Sequence, residues 1–189
     1  MKNIILKITT LFFLLSLLAA CGSTQESAQE TSSETASSHP QGQASVVDDV
    51  SDPNILQVAI SSEPHSTLVA GVQAAEIEHV LVNAGPLTVF APVNAAFDAL
   101  PEGTLENLLK PENKEDLATI ITRHAAPGSY DIDALKREAK KGRKLYMATG
   151  DYLEVTVDGD DVSVGGAKIV GTVAASNGII HVIEKVILP

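Results

Sequence analysis

The sequence predicts an α+β fold in which several short helices come first and a mostly antiparallel sheet follows. Two observations carry this. Between residues 52 and 141, apolar side chains recur near helical spacing in a series of short runs. From Leu145 onward the pattern changes to period two and is punctuated by Asp158-Gly159 and Asn177-Gly178, both hairpin-type turns. Helices and strands segregated along one chain point to α+β rather than to alternating α/β units.

Asp52-Pro53-Asn54 precedes the apolar run Ile55 to Ile60, which predicts a helix with Asp52 as cap and Pro53 in its first turn. Ser66 to Asn83 reads as one longer helix, with Leu68, Val69, Val72, Ala75, Ile77, Val80 and Leu81 recurring near helical spacing, broken by Gly85-Pro86. Leu87 to Ala91 is short, β-branched and apolar, a buried strand ended by Pro92. Asn94 then caps a short helix through Leu100, and Thr104 to Leu109 makes another turn or two. Asn113 to His124 is a clearer helix, capped by Asn113, with Glu115 and Asp116 in the first turn and Pro127-Gly128 at its stop. Asp131 to Lys141 is a further helix closed by Gly142. Tyr152 to Val157 pairs with Val162 to Val164 as a hairpin. Ala167 to Val170 is a short strand, and Ile179 to Ile183 with Val186 to Leu188 form the last one. Asn177-Gly178 supplies the positive backbone angles of the turn before it.

The first part of the chain has a different character. Residues 1–20 start with Lys2, run apolar from Ile4 and end in small residues, the plan of a secretory signal peptide, with an uncleaved anchor as the alternative. Leu18-Ala19-Ala20-Cys21 resembles the bacterial lipobox, which implies cleavage before Cys21 and a diacylglycerol thioether on its sulfur, with a further palmitate-type acyl chain on the new amino group. Each buried methylene adds about 0.8 kcal/mol of membrane affinity, so two or three chains hold a protein on its bilayer. Gly rather than Asp at position 22 implies transport to the outer membrane if the cell has two. Residues 21–48 are rich in Ser, Thr, Gln and Glu and poor in large apolar residues, which predicts a disordered acidic tether. Residues 49–189 form the folded domain.

Composition excludes several classes. The formal net charge of −11 argues against nucleic-acid partners, since phosphate binding needs compensating cations. With one cysteine there is no intramolecular disulfide and no Cys cluster for zinc or iron–sulfur. His65, His79, His124 and His181 show no paired metal-binding spacing, and structural hydrogen bonding is the simpler reading of each. Asp158, Asp160 and Asp161 flank a glycine, but the calcium-loop pattern fails for want of its terminal Glu. No nucleophile elbow or phosphate loop occurs. The expectation is a non-enzyme with no cofactor and no metal. Lys136, Arg137, Lys140, Lys141, Arg143 and Lys144 put six cations into nine positions. They read either as a binding patch for an anionic polysaccharide or protein partner, or as a solvated helix end whose charges complement the dipole.

Three segments then carry a resemblance: Thr88-Val89-Phe90-Ala91-Pro92-Val93-Asn94-Ala95-Ala96-Phe97, the central Ile121-Thr122-Arg123-His124, and Asn177 to Pro189 with its Asn-Gly-Ile-Ile-His-Val-Ile core. In order and spacing they resemble the signatures of fasciclin domains. The resemblance implies a wedge of about seven strands with helices packed on one side, and an extracellular adhesion or interaction module. It places His124 at a helix end beside the core, as a candidate binding residue with the basic run. The family's central Tyr-His is Arg123-His124 here. The Asp that serves integrin recognition in animal members is Thr172, which makes an integrin an unlikely partner. The expected function is a lipid-anchored adhesion module in the bacterial cell envelope, facing outside the cytoplasm. The alternative is a small-ligand carrier lipoprotein with an apolar groove.

Overall fold

Asn54, not Asp52, starts the first helix. In the computed structural model, which describes residues 52–82 and 85–189, the Asn54 side chain accepts from the Gln57 N–H and the Gln57 side chain accepts from the Asn54 N–H, both at 2.9 Å. This reciprocal capping box opens α1 (Ile55–Ile60). Pro53 stays outside, and its carbonyl accepts from Ser176 at 3.0 Å. The readings of residues 1–20, of Cys21 and of the tether at 21–48 lie outside the described residues.

The single helix expected over Ser66–Asn83 is two, α2 (Ser66–Ala75) and α3 (Glu78–Val82). Glu76 breaks it at φ 55°, in the left-handed region. The Ile77 N–H reaches back to the Val72 carbonyl at 3.2 Å, the closing bond of a helix C-cap. Periodicity hid the break because Ala75 and Leu81, on either side of it, bury in the same cluster.

The chain continues through β1 (Leu87–Pro92), α4 (Asn94–Asp98), α5 (Thr104–Leu108) and α6 (Lys114–Thr122). β2 (Ala125–Pro127) follows, so Pro127 lies in a strand rather than at a helix stop. α7 (Ile132–Lys140) is capped by Asp131, whose side chain accepts from the Ala134 N–H at 2.6 Å. The rest is β3 (Leu145–Tyr146), β4 (Tyr152–Leu153), β5 (Val155–Asp158), β6 (Asp161–Val164), β7 (Ala167–Ala175) and β8 (Gly178–Ile183). The Asp158–Asp161 hairpin is as read. β7 runs five residues past its expected end because β8 pairs with it along almost its whole length. Val186–Leu188 is not strand, since β8 ends at Ile183.

One sheet has the order β2-β1-β8-β7-β6-β5, and β3-β4 forms a separate hairpin. Every pairing is antiparallel except β1 with β8, which are parallel from Leu87↔Gly178 to Pro92↔Ile183. Side chains alternate across β1 and β8, so these two strands serve two hydrophobic clusters. Val89, Ala91 and Ile180 join Leu56, Leu68, Val72, Leu117 and Ile121 from the helices. Phe90 and Ile183 face the other way, with Leu135, Leu145, Met147, Val162 and Val164. The helices are therefore not all on one side: α1 to α6 close the first cluster, and α7 closes the second through Leu135.

Candidate functional site

The polar residues of the signature segments are internal fasteners. The Thr88 hydroxyl donates to the Gly128 carbonyl at 2.8 Å and accepts from the Tyr130 N–H at 2.9 Å, tying β1 to the loop before α7. His181 is fully buried and stacks on Phe90 with ring centroids 5.5 Å apart. The Tyr130 carbonyl, 2.7 Å from Nε2, can only accept, so Nε2 carries the proton and Nδ1 accepts from the Thr172 hydroxyl at 2.9 Å. Burial lowers the His181 pKa against the opposing pull of the Tyr130 carbonyl and Asp131.

Asn94 does not cap its own helix. Its Oδ1 accepts from the Thr67 N–H at 3.0 Å, and its Nδ2 donates to the Glu63 carbonyl and the Ser66 hydroxyl, so it holds the start of α2. Asn113 likewise gives no side-chain cap to α6; its Nδ2 donates to the Asn107 carbonyl. Asn177 accepts from the Ile55 N–H and donates to the Leu81 carbonyl, fixing α1 and α3 to the β7–β8 turn. That turn needs no positive φ at Asn177 or Gly178. Glycine is required at 178 for another reason: a Cβ there would overlap the Leu87 carbonyl oxygen.

His124, expected to contribute to binding, is closed to partners. It is 2% exposed. Its Nε2 accepts from the Ile187 N–H at 2.9 Å, which leaves the proton on Nδ1 to be donated to the Ile120 carbonyl at 2.7 Å. Burial, with Arg123 adding, outweighs the Ile120 bond and lowers its pKa to about 4, so the ring is neutral at pH 7. It joins the α6 end to the C-terminal segment. His65 is also buried with a lowered pKa; its Nδ1 lies 2.8 Å from the Ser62 hydroxyl.

An apolar cleft between α2, α5 and α6 is lined by Leu68, Phe97, Leu105, Leu108, Ile121 and neighbours. It offers only about 20 Å³, room for a single water against the roughly 300–1,000 Å³ of ordinary ligand sites. Among the described residues, no group of three or more His, Cys, Asp or Glu is placed to hold a metal ion, and no helix is long and apolar enough to cross a membrane.

The basic run lies at the surface. Arg137, Lys140, Lys141, Arg143 and Lys144 are exposed, and Lys136 is half-buried. Glu138 pairs with both Lys141 (3.3 Å) and Arg143 (3.6 Å), and Lys136 reaches Asp160 at 3.7 Å. Arg137, Lys140 and Lys144 have no ion pair among the described residues. The sequence reading missed the tyrosines beside this run. Tyr146 and Tyr152 face each other across β3–β4 on its outer side, ring centroids 5.3 Å apart. The available signal was the buried Leu145 and Leu153 next to them, which turn both tyrosines outward.

The profile of the fasciclin domain matches residues 63–189, most of the chain and nearly all of the described part. The chain belongs to the fasciclin-domain family. It is 46% identical over 136 residues to Protein sll1483 of Synechocystis sp., covering 71% of this chain and 73% of that one. Immunogenic protein MPB70 of Mycobacterium bovis is 31% identical over 162 residues, 82% of this chain and 79% of that one. Among solved structures, the FAS1 domain pair of the insect cell adhesion molecule fasciclin I aligns over 69% of this chain and 43% of that chain, at 18% identity and a TM-score of 0.44.

Two departures from the fasciclin pattern have local structural accounts. Arg123, in place of the family's aromatic, makes an ion pair with Asp151, which also accepts from the Thr149 hydroxyl, so charge pins the 147–152 turn. Thr172, in place of the integrin-linked Asp, gives its hydroxyl hydrogen to His181.

Proposed function

We propose that this fasciclin-domain protein is a lipid-anchored module of the bacterial cell envelope, held through acyl chains on Cys21, that acts by surface contact in adhesion rather than by catalysis. One observation carries the reading. Thr88, Asn94, His124, Asn177 and His181, five polar side chains of the signature segments, are all engaged in internal hydrogen bonds. Little of the signature chemistry is left to act on a substrate, whereas the exterior carries concentrated charge.

The anchoring part is tested in the host cell. Metabolic labelling with a palmitate analogue is expected to mark the wild-type chain and not Cys21→Ser, and the variant should leave the membrane fraction. A Cys21→Ser chain that keeps its label or its membrane association would remove the lipid anchor. The adhesion part is tested by cell attachment with and without the protein; equal attachment overturns it. The apolar cleft favours a second reading, a small-ligand carrier, but its volume of about 20 Å³ must grow before a ligand enters. Native mass spectrometry of protein from its host, showing a retained ligand, would promote that reading.

A further inference from the structure

We propose that Tyr146 and Tyr152, with Arg143 and Lys144 beside them and Arg137 and Lys140 on α7, form a binding platform for an acidic polysaccharide. The proposal deepens the surface-contact reading and rests on it.

The chain has three tyrosines, four phenylalanines and no tryptophan. In so aromatic-poor a protein, two of the three tyrosines stand outside the core, 46% and 63% exposed, their rings tilted against each other at 56° between planes. Their neighbours in sequence, Leu145 and Leu153, pair across the hairpin and are buried, which holds the hairpin down and the two rings outward. Tyrosine gives a rigid ring with an apolar face and a polar tip, at the entropic cost of two torsions. That combination suits a pyranose, whose axial C–H groups make an apolar face and whose hydroxyls ring its edge.

The cations give the sign of the partner. Arg143 and Lys144, both exposed, directly precede β3, three and two residues before Tyr146. Arg137 and Lys140 are one helical turn apart on the exposed side of α7. Of these four, only Arg143 has an acid partner, Glu138, which it shares with Lys141. Glu154 is the exposed carboxylate beyond Leu153, and Asp151 is held by Arg123. In a chain of net charge −11, a local cationic surface selects a partner whose own charges are spaced between uncharged faces. Uronate or phosphate-bearing glycans have that spacing. A continuous anionic bilayer presents its charge to the whole acidic domain and is repelled, and the platform offers no large aliphatic side chain to enter lipid.

The test uses the full chain in detergent micelles and affinity electrophoresis through gels containing polygalacturonate, with neutral dextran as comparator. Polygalacturonate is expected to retard the protein and dextran is not. Tyr146→Ala/Tyr152→Ala and Arg143→Gln/Lys144→Gln should each weaken retardation about tenfold. Tyr146→Phe/Tyr152→Phe should keep most of it, which separates ring contact from a folding defect. Removing two cations elsewhere, Lys114→Gln/Lys168→Gln, should leave it unchanged, and retardation by the wild type should fall as salt rises. Equal loss in the distant variant, tighter binding to phosphatidylglycerol vesicles than to the glycan, or no retardation at all overturns the platform. If retardation is absent while cells still attach through the protein, only the platform fails; if attachment is also independent of the protein, the surface-contact reading fails with it.

Discussion

The two hydrophobic clusters share β1 and β8 but are closed differently. On one side, helices α1 to α6 lay aliphatic side chains over Val89, Ala91 and Ile180, and side-chain amides pin the helix ends: Asn54 on α1, Asn94 on α2, Asn177 on α1 and α3. On the other, Phe90 packs against a buried imidazole, and a chain of polar contacts runs from Thr88 through the 128–130 loop to His181 and Thr172. Only the second side brings a cationic helix and two exposed tyrosines to the surface above it. The helical side is thus mainly a support, and the side built around His181 is where packing and surface chemistry meet.

The most damaging change strikes what both sides share. Gly178→Ala puts a methyl into the Leu87 carbonyl and forces β8 away from β1, so a loss of about 4 kcal/mol or more is expected. Urea unfolding would show it, and a variant within 1 kcal/mol of wild type would mean that the β1–β8 contact is not tight.

Next comes the link between the sides. The folded-state pKa of His124 is depressed from 6.5 to about 4. Its contribution is complete above pH 6.5 and is lost as pH falls toward 4, because the unfolded chain takes up a proton that the folded one refuses. The loss is about 3 kcal/mol across that window. Unfolding at pH 7 and pH 4 should show the decline, and His124→Asn should flatten most of it. The residue of the slope reports His181 and His65, which are shifted in the same direction. An unaltered slope in His124→Asn contradicts the assignment.

Smaller effects separate the two sides. Thr172→Val removes the hydroxyl that serves Nδ1 of His181 and should cost about 1–2 kcal/mol. In proton NMR the His181 ring should shift while α2 resonances hold. Asn94→Ala strips the fastener from α2 and should cost about 1 kcal/mol. Here the shifts should stay around α2. If either variant disturbs both clusters alike, the division is wrong.

Local signals were legible where one segment decides its own shape. The helix read over Asp131 to Lys141 is α7, with Asp131 as its cap, and Gly159, at φ 60°, turns the Asp158–Asp161 hairpin where expected. Legibility failed where a side chain serves a distant segment. Asn94 stands at a helix start in sequence yet bonds to Thr67, and Asn177 reaches Ile55 and Leu81. His124 was read as a candidate contact because the family match places it at a helix end beside the core; its bond to Ile187 could not be foreseen from spacing. The basic run was visible as a run, but its tyrosine neighbours were not, because the pairing Tyr146↔Tyr152 requires the hairpin.

The amino-acid sequence alone determined the order of helices and strands, the acidic character, the scarcity of aromatics and the family, since each is carried by local pattern or by residue identity. Only the tertiary structure decided that β1 and β8 run parallel although about ninety residues separate them, that Gly178 is demanded by backbone approach rather than by turn angle, and that His65, His124 and His181 face inward. The reason is physical: a hydrogen-bond partner or a steric wall contributed from far along the chain exists only after folding has brought it there.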